Sequence, residues 1–125
     1  MFSSASFAQN EIAVELDDLF EKLKKTGNPM TAKKIEGKIW KLWTTHPSEK
    51  SLTDLLAKGS EYMAQNQLTS AHNVFSKAIE LDPNWAEAWN KRATVLYLMG
   101  NFELSQNDID MVLKLEKRHF GALSG

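Results

Sequence analysis

A fixed offset of 34 residues constrains this chain more than any other feature. Shifted by that amount, Leu55 lands on Trp89, Tyr62 on Leu96, Leu68 on Phe102 and Phe75 on Ile109. Ala78 lands on Val112, Ile79 on Leu113 and Leu81 on Leu115. Ala88 and Trp89 map onto Ala122 and Leu123, so a third unit opens just before Gly125. Apolar falls on apolar along two helix lengths. A period of this size, spanning one helical hairpin, points to stacked hairpins.

The helices can be placed from their apolar stripes and stop signals. Ile12, Leu16, Leu19, Phe20 and Leu23 share one face of a first helix beginning after Asn10. Thr26-Gly27 ends it, and Asn28-Pro29 caps and opens the next. Met30, Ile35, Ile39 and Leu42 form the second stripe, flanked by Trp40 and Trp43, and His46-Pro47 stops it. Ser51 and Asp54 have capping-box spacing at the start of a third helix. That helix carries Leu52, Leu55, Leu56, Tyr62 and Met63, and Gln65-Asn66-Gln67 marks its turn. A fourth, with Ala71, Val74, Phe75, Ala78 and Ile79, stops near Asp82-Pro83. Pro83 serves equally as the first residue of a fifth helix, which runs to Met99 and is closed by Gly100. A sixth covers about Phe102 to Leu115, and a seventh starts near Arg118 or His119. No segment has the period-2 alternation of a strand. The expected fold is all-α: an α-solenoid of antiparallel hairpins, with about six helices plus the start of a seventh.

These residues resemble the tetratricopeptide repeat, whose pattern is W-x2-L-G-x2-Y, then A-x3-F, A and P. The first clear unit has Leu55 for the Trp, Lys58 for the Leu, Gly59, Tyr62, Ala71, Phe75, Ala78 and Pro83. The second has Trp89, Ala93 in the Gly place, Leu96, Ser105, Ile109 and Val112, with Lys117 where Pro is expected. The resemblance implies repeat units at 51–85 and 86–119 and a truncated further repeat at 120–125. Residues 11–50 fit the pattern poorly, with Glu36 at the aromatic position, and read as a degenerate capping hairpin. The run "LDDLFEKLK…AKKIEGKIWKLW" is similar to exported repeat proteins of α-proteobacteria, which implies a periplasmic, non-enzymatic scaffold. Residues 1–10 are Ser-rich and uncharged, and Ser6-Phe7-Ala8-Gln9 has small residues where a signal peptidase requires them. They are either the tail of an export signal or a disordered N-terminus. The expected location is periplasmic or otherwise exported, with cytoplasmic as the alternative.

The resemblance assigns the inner face of the stacked hairpins to peptide or protein binding. The pattern puts Leu56, Ser60 and Met63 there from one unit, and Asn90, Thr94 and Tyr97 from the next. Asn90 and Lys91 lack first-unit counterparts for a carboxylate clamp, because Leu56 and Ala57 stand there. Ile109, Val112 and Leu113 lie on a last long helix that needs cover, which suggests a fragment of a longer protein, self-association into a homodimer, or both. Chemistry finds little support. The chain has no cysteine. His46, His72 and His119 show no metal-ligand spacing, and no phosphate or dinucleotide fingerprint occurs. Asp17-Asp18 and Asp108-Ile109-Asp110 read as solvated faces, since neighbours on a helix diverge. No cofactor or metal is therefore expected, and no enzymatic activity. With 15 Lys plus Arg against 16 Asp plus Glu, the net charge of −1 gives no general case for nucleic acid. Residues 21–50 carry eight Lys against three acids around Trp40 and Trp43. Such a segment could bind an anionic surface, but reads first as a solvated face over a hairpin contact. No apolar run is long enough to span a bilayer.

Overall fold

The computed structural model describes residues 4–123. It is all-α: α1 (Ser4–Lys25), α2 (Pro29–Thr44), α3 (Lys50–Ala64), α4 (Leu68–Leu81), α5 (Ala86–Leu98), α6 (Phe102–Leu115) and α7 (Phe120–Leu123). The chain divides at Lys50 into two compact units. Among the described residues no helix is long and apolar enough to cross a membrane.

In the first unit, α1 and α2 form a hairpin. The helix α1 begins at Ser4, not after Asn10, so the described part of the uncharged leader is helical. Ala5 and Ala8 favour helix, and no Gly or Pro interrupts the chain before Gly27. Residues 1–3 of that leader lie outside the described residues. Asn28 closes the turn: its Oδ1 accepts from the amides of Met30 at 2.9 Å and Thr31 at 3.2 Å, with Pro29 in the first turn. Asn28→Ala removes both bonds and is expected to cost about 1 kcal/mol in urea unfolding. Leu16, Leu19, Ile35, Ile39 and Trp43 are buried. Trp43 packs edge-on against Trp40 at 5.3 Å, so the Lys-flanked tryptophans serve this core. Met30, expected on the apolar stripe, is 74% exposed. After α2, His46 Nδ1 accepts from the amides of Ser48 (3.2 Å) and Glu49 (2.9 Å). The chain thus enters α3 already at Lys50, and Ser51 lies inside the helix instead of capping it.

In the second unit, the 34-residue offset governs backbone as well as side chains. At the end of α3, the Gln67 amide bonds Tyr62 O at 2.8 Å and the Asn66 amide bonds Met63 O at 3.0 Å. At the end of α5, Asn101 bonds Leu96 O at 2.8 Å and Gly100 bonds Tyr97 O at 3.0 Å. Both are Schellman turns, which need a left-handed residue. Asn66 supplies it with φ 59°, and Gly100 with φ 82°. The repeat boundaries match too: Asp82 bonds Ala78 O, and Glu116 bonds Val112 O. Pro83 does not start α5. It sits in a turn where Asp82 Oδ1 accepts from the Asn84 amide, and its carbonyl accepts from Trp89 Nε1 at 2.8 Å.

Small and large side chains set the helix spacing. Gly59 faces the fully buried Phe75 so closely that a Cβ there would come within 2.8 Å of ring atoms. One repeat later the places hold Ala93 and Ile109, a larger residue opposite a smaller one. Leu52, Leu56, Ala71, Phe75, Ala78, Ile79, Trp85, Ala88 and Val95 form the core.

Candidate interaction groove

Where α5, α6 and α7 meet, the surface opens into a groove of about 380 Å³. Asn90, Thr94 and Tyr97 come from α5, with Ala93 beneath them. Ser105 and Ile109 come from α6, and Gly121 from α7. The one-turn spacing of Asn90, Thr94 and Tyr97 puts their side chains on one helix face. Ser105 stands where the first repeat has Ala71, and its hydroxyl donates to Ala93 O at 2.7 Å. That bond satisfies the buried hydroxyl and locks α6 to α5 at the groove floor. Tyr97 is 63% exposed, and its ring lies against Phe102 at 5.1 Å.

A buried polar chain supports the α7 side. His119 Nδ1 accepts from the Ala122 amide at 3.2 Å, which leaves the proton on Nε2. Nε2–H then donates to Glu87 Oε2 at 2.7 Å. Neither side chain reaches solvent. The other carboxylate oxygen of Glu87 accepts from Asn90 Nδ2 at 3.1 Å. This bond orients the Asn90 amide at the groove wall.

The predicted site residues divide. Asn90, Thr94 and Tyr97 line one groove. Leu56 does not join them: it is 3% exposed and belongs to the core with Trp85, Ala88 and Val95. Ser60 is half-buried and donates to Leu56 O at 3.0 Å, and Met63 is half-buried against the same core. The self-association patch also requires correction. Val112 is fully buried, like its counterpart Ala78, because that position is interior in both hairpins. Leu113 is half-buried, and Ile109 lies in the groove.

Asp108 corrects the reading of the acidic pair as solvated. It is 4% exposed and gripped by Arg92, Nε to Oδ2 at 2.8 Å and Nη2 to Oδ1 at 2.9 Å. Arg92 also donates to Ser76 Oγ at 3.3 Å and lies over the Trp89 ring at 5.1 Å. This cluster borders a second groove of about 410 Å³ that includes half-buried His72. Arg92→Lys keeps the charge but loses the two-point fork. Thermal unfolding is expected to show a loss of about 1 kcal/mol. The sequence held a clue to both polar clusters. The offset maps Trp85 onto His119 and Val74 onto Asp108, polar groups at places where the first repeat is apolar.

Comparison with known proteins agrees with the helical-repeat fold. A family model described as TPR repeat matches residues 59–100. A TPR repeat-containing protein of Rhizobium etli is 38% identical over 110 residues, covering 88% of this chain. The chain spans 53% of that relative's length. DnaJ homolog subfamily C member 7 of Mus musculus is 30% identical over 59 residues, 47% of this chain and 12% of that protein. A tetratricopeptide repeat and J domain-containing co-chaperone of Cryptococcus neoformans is 28% identical over 69 residues, 55% of this chain and 13% of its own length. Proteins of this family are generally interaction modules and typically non-catalytic scaffolds. The stretch from Gly59 in α3 through α4 to the end of α5 is thereby identified as tetratricopeptide repeat.

Proposed function

We propose that the chain is a non-catalytic interaction module whose groove between α5, α6 and α7 takes a segment of a partner protein. The carrying observation is the convergence of Asn90, Thr94 and Tyr97 over an apolar floor of Ala93 and Ile109. Such a lining suits a protein segment: the floor accepts an apolar side chain, while amide and hydroxyl groups on the walls hydrogen-bond its polar atoms. Asn90 donates one Nδ2 hydrogen to Glu87, and that bond turns the rest of its amide to this task. The matches to two J-domain proteins fall within a small part of their length, which supports a shared interaction module and not a shared co-chaperone activity. An exported location is a further proposal, carried by Ser6-Phe7-Ala8-Gln9 and by the likeness of residues 16–43 to exported repeat proteins; N-terminal sequencing of the protein recovered from cells tests it.

Selection of a displayed random-peptide library on the purified chain tests the groove. Selected peptides are expected to perturb the amide resonances of Asn90, Thr94, Tyr97 and Ile109. Thr94→Arg, which puts a long charged side chain into the groove, is expected to weaken them about tenfold or more. Binding that perturbs other residues and survives Thr94→Arg would refute the assignment.

A further inference from the structure

From the charge on α2 we infer that the first unit docks on an anionic phospholipid surface, with Met30 entering the headgroup boundary and Lys34, Lys38 and Lys41 meeting the phosphates. Residues 22–41 carry seven Lys, no Arg and one acid, Glu36. On α1 the charges are balanced locally: Lys22 Nζ lies 2.9 Å from Asp18 Oδ2, and Lys25 Nζ lies 4.0 Å from Glu21 Oε2. The second helix differs. Met30, Lys34, Lys38 and Lys41 stand at i, i+4, i+8 and i+11, on one face about 16 Å long. Ile35, Ile39 and Trp43 are buried on the other side of the helix, and the helical period turns Glu36 away from the lysine row as well. All three lysines are exposed, and among the described residues none of them joins an ion pair. Met30 heads the row and is 74% exposed. Packing of the hairpin therefore makes no use of this face.

The chemistry of the face selects its partner. Carboxylates on another protein gain little here, since each exposed ion pair is weak and both side chains lose freedom. An anionic bilayer acts on every lysine at once through its surface potential, so small contributions add along the row. The apolar side chain also has a place there: Met30 reaches the boundary of headgroups and acyl chains while the lysines stay with the phosphates. Nucleic acid fits less well. The segment has no Arg to fork onto phosphates, and Trp40 and Trp43 pack on each other, leaving no platform for bases. Docking of this kind needs no spanning helix, and none exists among the described residues.

The test is flotation of the full chain with vesicles that carry about 30% phosphatidylglycerol in phosphatidylcholine, at about 0.1 M salt. The chain is expected to float with these vesicles and not with pure phosphatidylcholine, and to be released at about 0.5 M salt. Lys34→Gln/Lys38→Gln/Lys41→Gln, which keeps helix propensity, is expected to weaken binding about 100-fold. Met30→Ser is expected to weaken it about fivefold. Lys77→Gln/Lys114→Gln/Lys117→Gln removes the same charge from exposed places in the second unit and is expected to change binding less than about threefold. Failure to float, equal flotation with neutral vesicles, or equal losses in the two triple variants overturns the inference. A single-stranded oligonucleotide or polyglutamate that binds through the α2 lysines, without flotation, assigns the face to nucleic acid or to an acidic protein and likewise overturns it.

Discussion

Replacing Glu87 by alanine is expected to lower stability by about 3 kcal/mol. The effect is large because the carboxylate serves two donors. Without it, His119 Nε2–H loses its 2.7 Å acceptor inside a site closed to water. Asn90 loses the bond that orients its amide. Urea unfolding reads the total loss, and hydrogen exchange reads its location. The Ala122 and Leu123 amides depend on His119, so they are expected to lose protection first. The offset provides a rescue: positions 87 and 119 correspond to Thr53 and Trp85. Glu87→Thr with His119→Trp transplants the earlier pair and is expected to recover at least half of the loss. A change below about 1 kcal/mol in Glu87→Ala would mean that the buried pair does not hold α7.

Gly59→Ala is expected to destabilise the second unit by about 2 kcal/mol. Two effects oppose each other. Alanine favours the helix over glycine by about 1 kcal/mol. The added Cβ meets the ring of Phe75, a fully buried residue, and overpacking of this kind costs about 3 kcal/mol. Overlap wins, so a substitution that stabilises most exposed helices lowers the melting temperature here. At Gly37, where a Cβ meets nothing within 4 Å, the same change is expected to be neutral or stabilising and serves as the control.

The hairpins were legible in the sequence because they depend on side-chain size at a fixed period, and size is written in each residue. The turns after α3 and α5 were marked by Gln65-Asn66-Gln67 and by Gly100, and Asn66 and Gly100 take the left-handed conformation there. Coverage was not legible. Leu56 and Asn90 occupy the same helix position, yet one packs in the core and the other lines an open groove. Helical period gives a residue's direction but not what lies above it. The polar pairs were hidden by distance along the chain. Arg92 precedes Asp108 by 16 residues, and Glu87 precedes His119 by 32. Single-helix reasoning therefore sees isolated charges and assigns them to solvent. The helix before Asn10 was missed because a serine-rich, uncharged start was read as a leader, although nothing in residues 4–10 breaks a helix.

The central claim is that the two hairpins share one packing geometry, with residue pairs interchangeable across the offset. The double variant Gly59→Ala/Phe75→Ile tests it by installing the Ala93–Ile109 pair in the first hairpin. Either change alone is expected to destabilise, the first by overlap and the second by loss of ring volume. Together they are expected to cost at least about 1 kcal/mol less than the sum of the single losses in urea unfolding. Losses that add to within about 0.5 kcal/mol would show that the two positions are uncoupled, and the shared geometry would be contradicted.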